Sequence, residues 1–368
     1  MEIQKAGDNS QQYQIQNLTI NQGIDEKRAR EIYDEKYCIA KRDFTEEALR
    51  IVNERVKEFE NRLIPKIEAV NDGLKSFADP SFQLLLVDAQ KAAAATERPA
   101  DYDLLSELLL HRIEKGNDRY IRTGISQAVK IIEEISDEAL LGLTVVYSVE
   151  KFTPNVSDIK NALGILNNLF GKIMYAELPQ NEDWLDQLDI LNAIRINRTE
   201  KFINIKDYYL GKLNGLIEIG IYKDSEKYYK AQEILQMQNL SFSSIMVDNP
   251  LDTNYVRVNV NGIESVDRLN LIRVQNGIQN IRPLLTKEKN AIKSIFELYS
   301  RDGKIKQEID KKFKDEWNKY TNLCKLNDWW NNFSYFFDIT SVGKVLAHAN
   351  AQRCDNNLPA FNQYKTNK

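Results

Sequence analysis

The chain has 368 residues, 42% of them hydrophobic, which is enough for real cores and excludes an intrinsically disordered protein. A formal net charge of −4 is small for this length and argues against a dedicated nucleic-acid coat. With only 15 glycines and 8 prolines, long helices are favoured over a turn-rich β-fold.

The opening MEIQKAGDNS has neither a basic stretch nor an apolar run, so no secretory signal is expected. Residues 1–23 are polar and rich in Gln and Asn. Within them, Tyr13 and Ile15 share one face of an alternating stretch, and Leu18 and Ile20 share the other. A short polar strand of this kind has too little apolar surface to fold alone. It is expected to pair with a second copy or with the sheet edge of a partner protein, its backbone supplying the hydrogen bonds.

Asp25 and Glu26 suit the positive end of a helix that follows at once. The strongest helical pattern runs from Phe44 to Phe77. It has Thr45 as a cap and Val52, Val56, Phe59, Leu63, Ile67, Val70 and Leu74 spaced by three or four on one face. Pro65 is expected to kink or divide it. The stripe through Phe59 and Leu63 has two readings, packing within its own domain or a seam between molecules. Asp79-Pro80 opens the next helix, and Pro99 another that ends near Gly116. Further helices are expected from Asn117, from Ser136 to Val149, over 157–174 and over 184–196, with connections short enough for an antiparallel bundle.

Past about Ser241 the pattern changes. YVRVNV (255–260) alternates, and Leu269 to Val274 reads as a second strand before Asn276-Gly277. Helices return after Thr286, over 305–323 and after Thr340, with a dense aromatic cluster from Trp329 to Phe337 between the last two. The expected fold is therefore mainly α: a helical bundle with a small late β-ribbon and a short N-terminal polar strand. The expected parts are a leader over 1–23, a helical domain over 24–240 and a mixed α+β part over 241–368. A winged-helix-like arrangement is one reading of the last.

No short catalytic motif is present. Phosphate loops of the Walker or dinucleotide type and a nucleophile elbow are missing, and the 2 histidines, His111 and His348, show no tight zinc spacing with a cysteine. No metal and no cofactor are expected. A Cys354/His348 pair stays open as a nucleophile. Cys38, Cys324 and Cys354 are far apart and odd in number, which fits free or buried thiols in a reducing cytoplasm. The longest apolar run, 140–149, is about half the ~20 residues a membrane helix needs, so no membrane partner is expected.

Two basic clusters remain. Arg98, His111, Arg112, Arg119 and Arg122 surround two helix ends, where they can hold a phosphate or a carboxylate. Acidic residues are interleaved among them, so ion pairing between helices is the alternative. Residues 282–319 are lysine-rich, and with the preceding ribbon can lie on a duplex backbone. They lack an arginine-rich recognition helix, so nucleic acid is an open but not a favoured partner.

The opening AGDNSQQYQIQNLTINQGIDEKRAREIYDEKY resembles a leader on bacterial proteins often found near phage-defence or mobile-element genes. The segments DPSFQLLLVDAQKAAAATERPADYDLLSELLLHRI, ISDEALLGLTVVY and YFFDITSVGKVLAHANAQR resemble an uncharacterised bacterial family with that leader. There is a looser similarity to abortive-infection alpha-type domains. The resemblance carries over no catalytic residue; it implies a bacterial cytoplasmic protein. The expected function is a non-enzymatic oligomerising scaffold or sensor in phage defence. The alternatives are an enzyme without a short motif, such as a nuclease, and a winged-helix-like DNA-binding module.

Overall fold

The computed structural model describes residues 24–43, 45–114, 118–275 and 278–361. The leader, with Tyr13, Ile15, Leu18 and Ile20, lies outside the described residues. The protein is mainly α, with small antiparallel sheets. It divides into two compact units, Met1–Asp118 and Arg119–Lys368.

The first unit holds α1 (Glu26–Ala40), α2 (Glu46–Glu68), α3 (Pro80–Ala95) and α4 (Pro99–Glu114). Asp25 caps α1 by accepting the Arg28 amide at 2.8 Å, and Asp79 caps α3, with Pro80 at the first helical position. Thr45 occupies the N-cap of α2 but makes no side-chain cap bond, unlike the expectation. The helix also stops short of Phe77. Pro65 has no amide proton for the carbonyl one turn back, and α2 ends at Glu68, within a turn of it. Asp72 then takes a left-handed conformation (φ 60°). At Gly73 an added Cβ would lie 2.2 Å from the Ile67 carbonyl oxygen, so the turn closes only on glycine.

α2 packs against α3 and α4, and α1 against α3. The stripe of α2 is the centre of this unit: Phe59 and Leu63 are both 0% exposed. The Tyr33 ring of α1 lies 6.4 Å from that of Phe59, and its hydroxyl donates to the Val56 carbonyl at 3.0 Å. Of the two readings of this stripe, packing within its own unit is the geometry found. The partner-facing assignment of Phe59 and Leu63 is corrected accordingly, because side chains without exposed surface offer none to another molecule.

The second unit begins with α5 (Arg119–Ile131), α6 (Asp137–Lys151), α7 (Ile159–Ile173) and α8 (Asp183–Ile190), followed by β1 (Ile194–Asn197) and α9 (Ile205–Lys212). Then come β2 (Ile221–Tyr222), α10 (Glu226–Met237), α11 (Phe242–Ile245), β3 (Met246–Asn249) and β4 (Asp252–Val258). The hairpin β5 (Asn270–Gln275) and β6 (Ile278–Pro283) leads to α12 (Thr286–Ile295), α13 (Gly303–Trp317), α14 (Thr321–Trp330), β7 (Phe336–Ile339) and α15 (Ser341–Cys354).

Helix α6 is buried throughout from Ala139 to Val149, and a second hydrophobic cluster, with Leu235, Val256 and Ile292 in it, lies within residues 221–299. Ser136 caps α6 as expected, accepting from the Ala139 amide at 3.1 Å. The last helix, α15, packs on both α5 and α6. That contact places the C-terminal helix in the same unit as α5 and α6. Thr340 caps α15 as expected.

Three other details depart from the sequence pattern. The helix expected over 184–196 ends at Ile190, because Asn192 turns left-handed (φ 58°) and releases the chain into β1. There it pairs antiparallel with β7, Ile194 opposite Ile339. Thr286 is the first residue of α12 rather than its cap; the Glu288 carboxylate reaches back to the Leu285 amide at 2.8 Å. And β4 does not alternate: Tyr255, Val256, Arg257 and Val258 are all buried. Arg257 can be buried because its guanidinium donates to the carbonyls of Ser157 (2.7 Å), Gly215 (2.9 Å) and Val260.

Candidate functional site

Three perturbed titratable groups of the second unit, Glu150, Tyr208 and Lys212, meet at the C-terminal end of α6. Its last carbonyls lack partners within the helix, and Lys212, the final residue of α9, supplies one. Its ammonium donates to the Val149 carbonyl and, at 3.0 Å, to that of Glu150. The same ammonium lies 5.6 Å from the Tyr208 ring centre and 5.7 Å from that of Tyr209. Burial lowers Lys212 to about 7, with Glu150 opposing the shift and Lys151 adding to it. Burial also raises the Glu150 carboxyl above the ordinary range, against Lys151, Lys344 and Lys212. Tyr208 is raised by burial and by Glu150.

Beside this cluster is a pocket of about 260 Å³ lined by Glu150, Glu200, Lys201, Phe202, Ile203, Tyr208, Trp330 and Phe336. Its walls come from α6, the 200–203 segment, α9, α14 and β7. The rings are close but inclined. Phe202 is 4.7 Å from Trp330 at 59° and 4.8 Å from Phe336 at 54°; Tyr208 is 6.3 Å from Trp330 at 38°. The Trp330 indole N–H is already committed to the Ile203 carbonyl at 3.0 Å, and the Phe336 amide donates to the Glu200 carbonyl at 2.8 Å. The frame is thereby fixed by the chain itself, and four aromatic residues, two glutamates and Lys201 are among the residues that line the pocket. A desolvated carboxylate and an amine with opposed shifts beside a lined cavity mark a functional-site candidate.

The arginines singled out in the sequence sit elsewhere. In the first unit Arg98 pairs with Asp101 at 3.0 Å, and the buried Arg112 pairs with Asp79 at 2.9 Å and donates to Ser81 Oγ at 2.6 Å. Burial alone would raise the Asp79 carboxyl, but bonds from Ser81 and Arg112 hold it below the usual range. His111 is buried in α4. Arg119 and Arg122 open α5, in the second unit. Ion pairing is the geometry found at Arg98 and Arg112.

Part of the lysine-rich stretch is ion-paired. Lys293 pairs with Asp267, Lys312 with Asp252, Lys314 with Asp207 and Lys319 with Glu316. His348 is fully buried, its Nδ1 3.1 Å from the Tyr147 hydroxyl and its ring edge-on to Phe361. Burial raises the Cys354 thiol, which disfavours the thiolate that a nucleophile requires. The three cysteines are free thiols. Among the described residues, no group of three or more His, Cys, Asp or Glu is placed to hold a metal ion, and no described helix is long and apolar enough to cross a membrane.

Sequence reasoning picked out two of the eight lining residues, and not as a site. Trp330 and Phe336 belong to the aromatic cluster read from 329–337. Phe202, Tyr208, Lys212 and Glu150 were missed; the available signal was the segment KFINIKDYYLGK (201–212), aromatic and ending in a lysine.

A protein-family model described as ":-like" matches residues 23–360, and the chain belongs to that family. The description states no activity. The match covers the middle and closing segments on which the resemblance to an uncharacterised family rests, and it starts where the leader ends. No curated protein and no solved structure matches the chain.

Proposed function

We propose that this protein is a non-enzymatic, oligomerising sensor. It holds a small ligand in the pocket of Glu150, Phe202, Tyr208, Trp330 and Phe336, and it responds through assembly of the chain. The observation that carries this reading is the construction of the pocket. Three regions far apart in sequence, at Glu150, over 200–208 and over 330–336, form its walls. A ligand that touches all of them stabilises their joint packing and so couples to the whole second unit. The polar leader supports the assembly half: an extended segment with alternating side chains suits strand pairing with another copy or a partner. The resemblance of the leader to those of bacterial proteins near phage-defence genes supports a role in such defence, in the cytoplasm.

The test is thermal unfolding against a panel of small cationic, anionic and neutral metabolites, with recovery of any ligand that acts. At least one should raise the unfolding temperature and be recovered unchanged. A panel without effect overturns the sensing reading, and a ligand recovered chemically converted would establish an enzyme instead.

A further inference from the structure

Resting on the reading that this pocket binds a ligand, its chemistry can be narrowed. We propose that it takes a free small alkylammonium cation, held against the inclined rings of Phe202, Tyr208 and Phe336 and neutralised by Glu150.

Shape comes first. A planar base or other flat ring is clamped between parallel faces. Here the rings stand at 38–59° to one another, which surrounds a compact, rounded group. A cavity of about 260 Å³ accommodates a methylated ammonium head with a short tail. The indole N–H of Trp330 is committed to Ile203 and offers the ligand no donor.

Charge points the same way. Aromatic faces carry negative potential and attract an ammonium group most strongly where water is excluded. Glu150, half-buried, lines the cavity and would oppose an anion, whereas Glu200 is exposed and water solvates its charge. Lys201, the one cation among the described lining residues, is exposed, so water solvates its charge. Lys212 provides an internal precedent: its ammonium already lies over Tyr208 and Tyr209. Burial of that lysine lowers its own charge near neutral pH, which weakens its repulsion of a cation next door.

Calorimetric titration of the full chain with tetramethylammonium, choline and the uncharged carbon isostere of choline tests this. Both cations should bind, and the isostere should bind at least tenfold more weakly. Phe336→Leu keeps an apolar side chain and removes the π face; it should bind choline about tenfold more weakly while keeping its circular dichroism and unfolding temperature. Glu150→Gln should weaken choline but leave the isostere unchanged. Equal binding of choline and isostere, or undiminished binding by Phe336→Leu, overturns the ammonium assignment while the sensing reading stands. Failure of both cations to bind the wild type overturns it too, and the metabolite panel decides the sensing reading separately. A trimethyllysine peptide binding tenfold more tightly than choline would overturn the free cation in favour of a protein ligand.

Discussion

The Lys212 ammonium donates to the backbone carbonyl of Glu150 at 3.0 Å, tying the end of α9 to the end of α6. The contact closes one of the open carbonyls of α6 without a carboxylate partner. It therefore binds the amine in place while burial works against its charge.

That conflict predicts a pH dependence of stability. Unfolded lysine titrates near ~10.4, whereas Lys212 in the folded chain titrates at about 7. Between these values the unfolded chain holds the proton and the folded chain does not. Stability should therefore rise with pH across this window, by up to ~1.4 kcal/mol per pH unit, and the full penalty should apply below it. Lys212→Met should remove this component. Urea unfolding of both proteins at pH values from 7 to ~10 measures the difference. Parallel curves would show that Lys212 keeps an ordinary titration.

The α2 stripe gives a second prediction. Phe59→Ala and Leu63→Ala should each cost about 2–5 kcal/mol, since both side chains are fully buried. Leu63→Glu should unfold the first unit, because an unpaired carboxylate there costs more than a marginally stable fold can lose. Circular dichroism with light scattering on one sample reads the outcome. A folded Leu63→Glu protein of reduced mass would restore the intermolecular seam.

Glycines on two helices of the second unit make a paired test. At Gly343 in α15 an added Cβ would lie 2.1 Å from the Ala193 carbonyl oxygen, next to the β1–β7 pair. Gly343→Ala gains about 1 kcal/mol in helix propensity, but a backbone oxygen in a strand end cannot step aside. The net effect should be a loss of about 1–3 kcal/mol. Gly164 in α7 meets nothing within 4 Å, and Gly164→Ala should stabilise by about 0.4–1 kcal/mol. Denaturant midpoints of the two variants should move in opposite directions; a shift in the same direction would contradict the packing of α15 against β1.

Local signals carried much of this fold. Asp79-Pro80, Ser136 and Thr340 mark helix starts that the structure keeps, since a cap depends on residues within one turn. Where the pattern failed, a distant contact decided. Residues 194–197 became strand because β7 lies beside them, and Arg257 is buried because the Ser157 and Gly215 carbonyls receive it. Little of the pocket was legible, for the same reason. Trp330 and Phe336 are close in sequence, but Glu150 and Phe202 reach them only through the packing of α6 and the 200–203 segment. Neither periodicity nor spacing encodes that meeting.

Light scattering of the full chain, with and without a pocket ligand, tests the central claim of an assembling sensor most directly. The full chain should show a mass of two copies or more in at least one of the two states. The ligand should shift that mass, and deletion of residues 1–23 should abolish assembly while leaving the helical circular dichroism intact. A full chain that is strictly monomeric in both states would contradict the account.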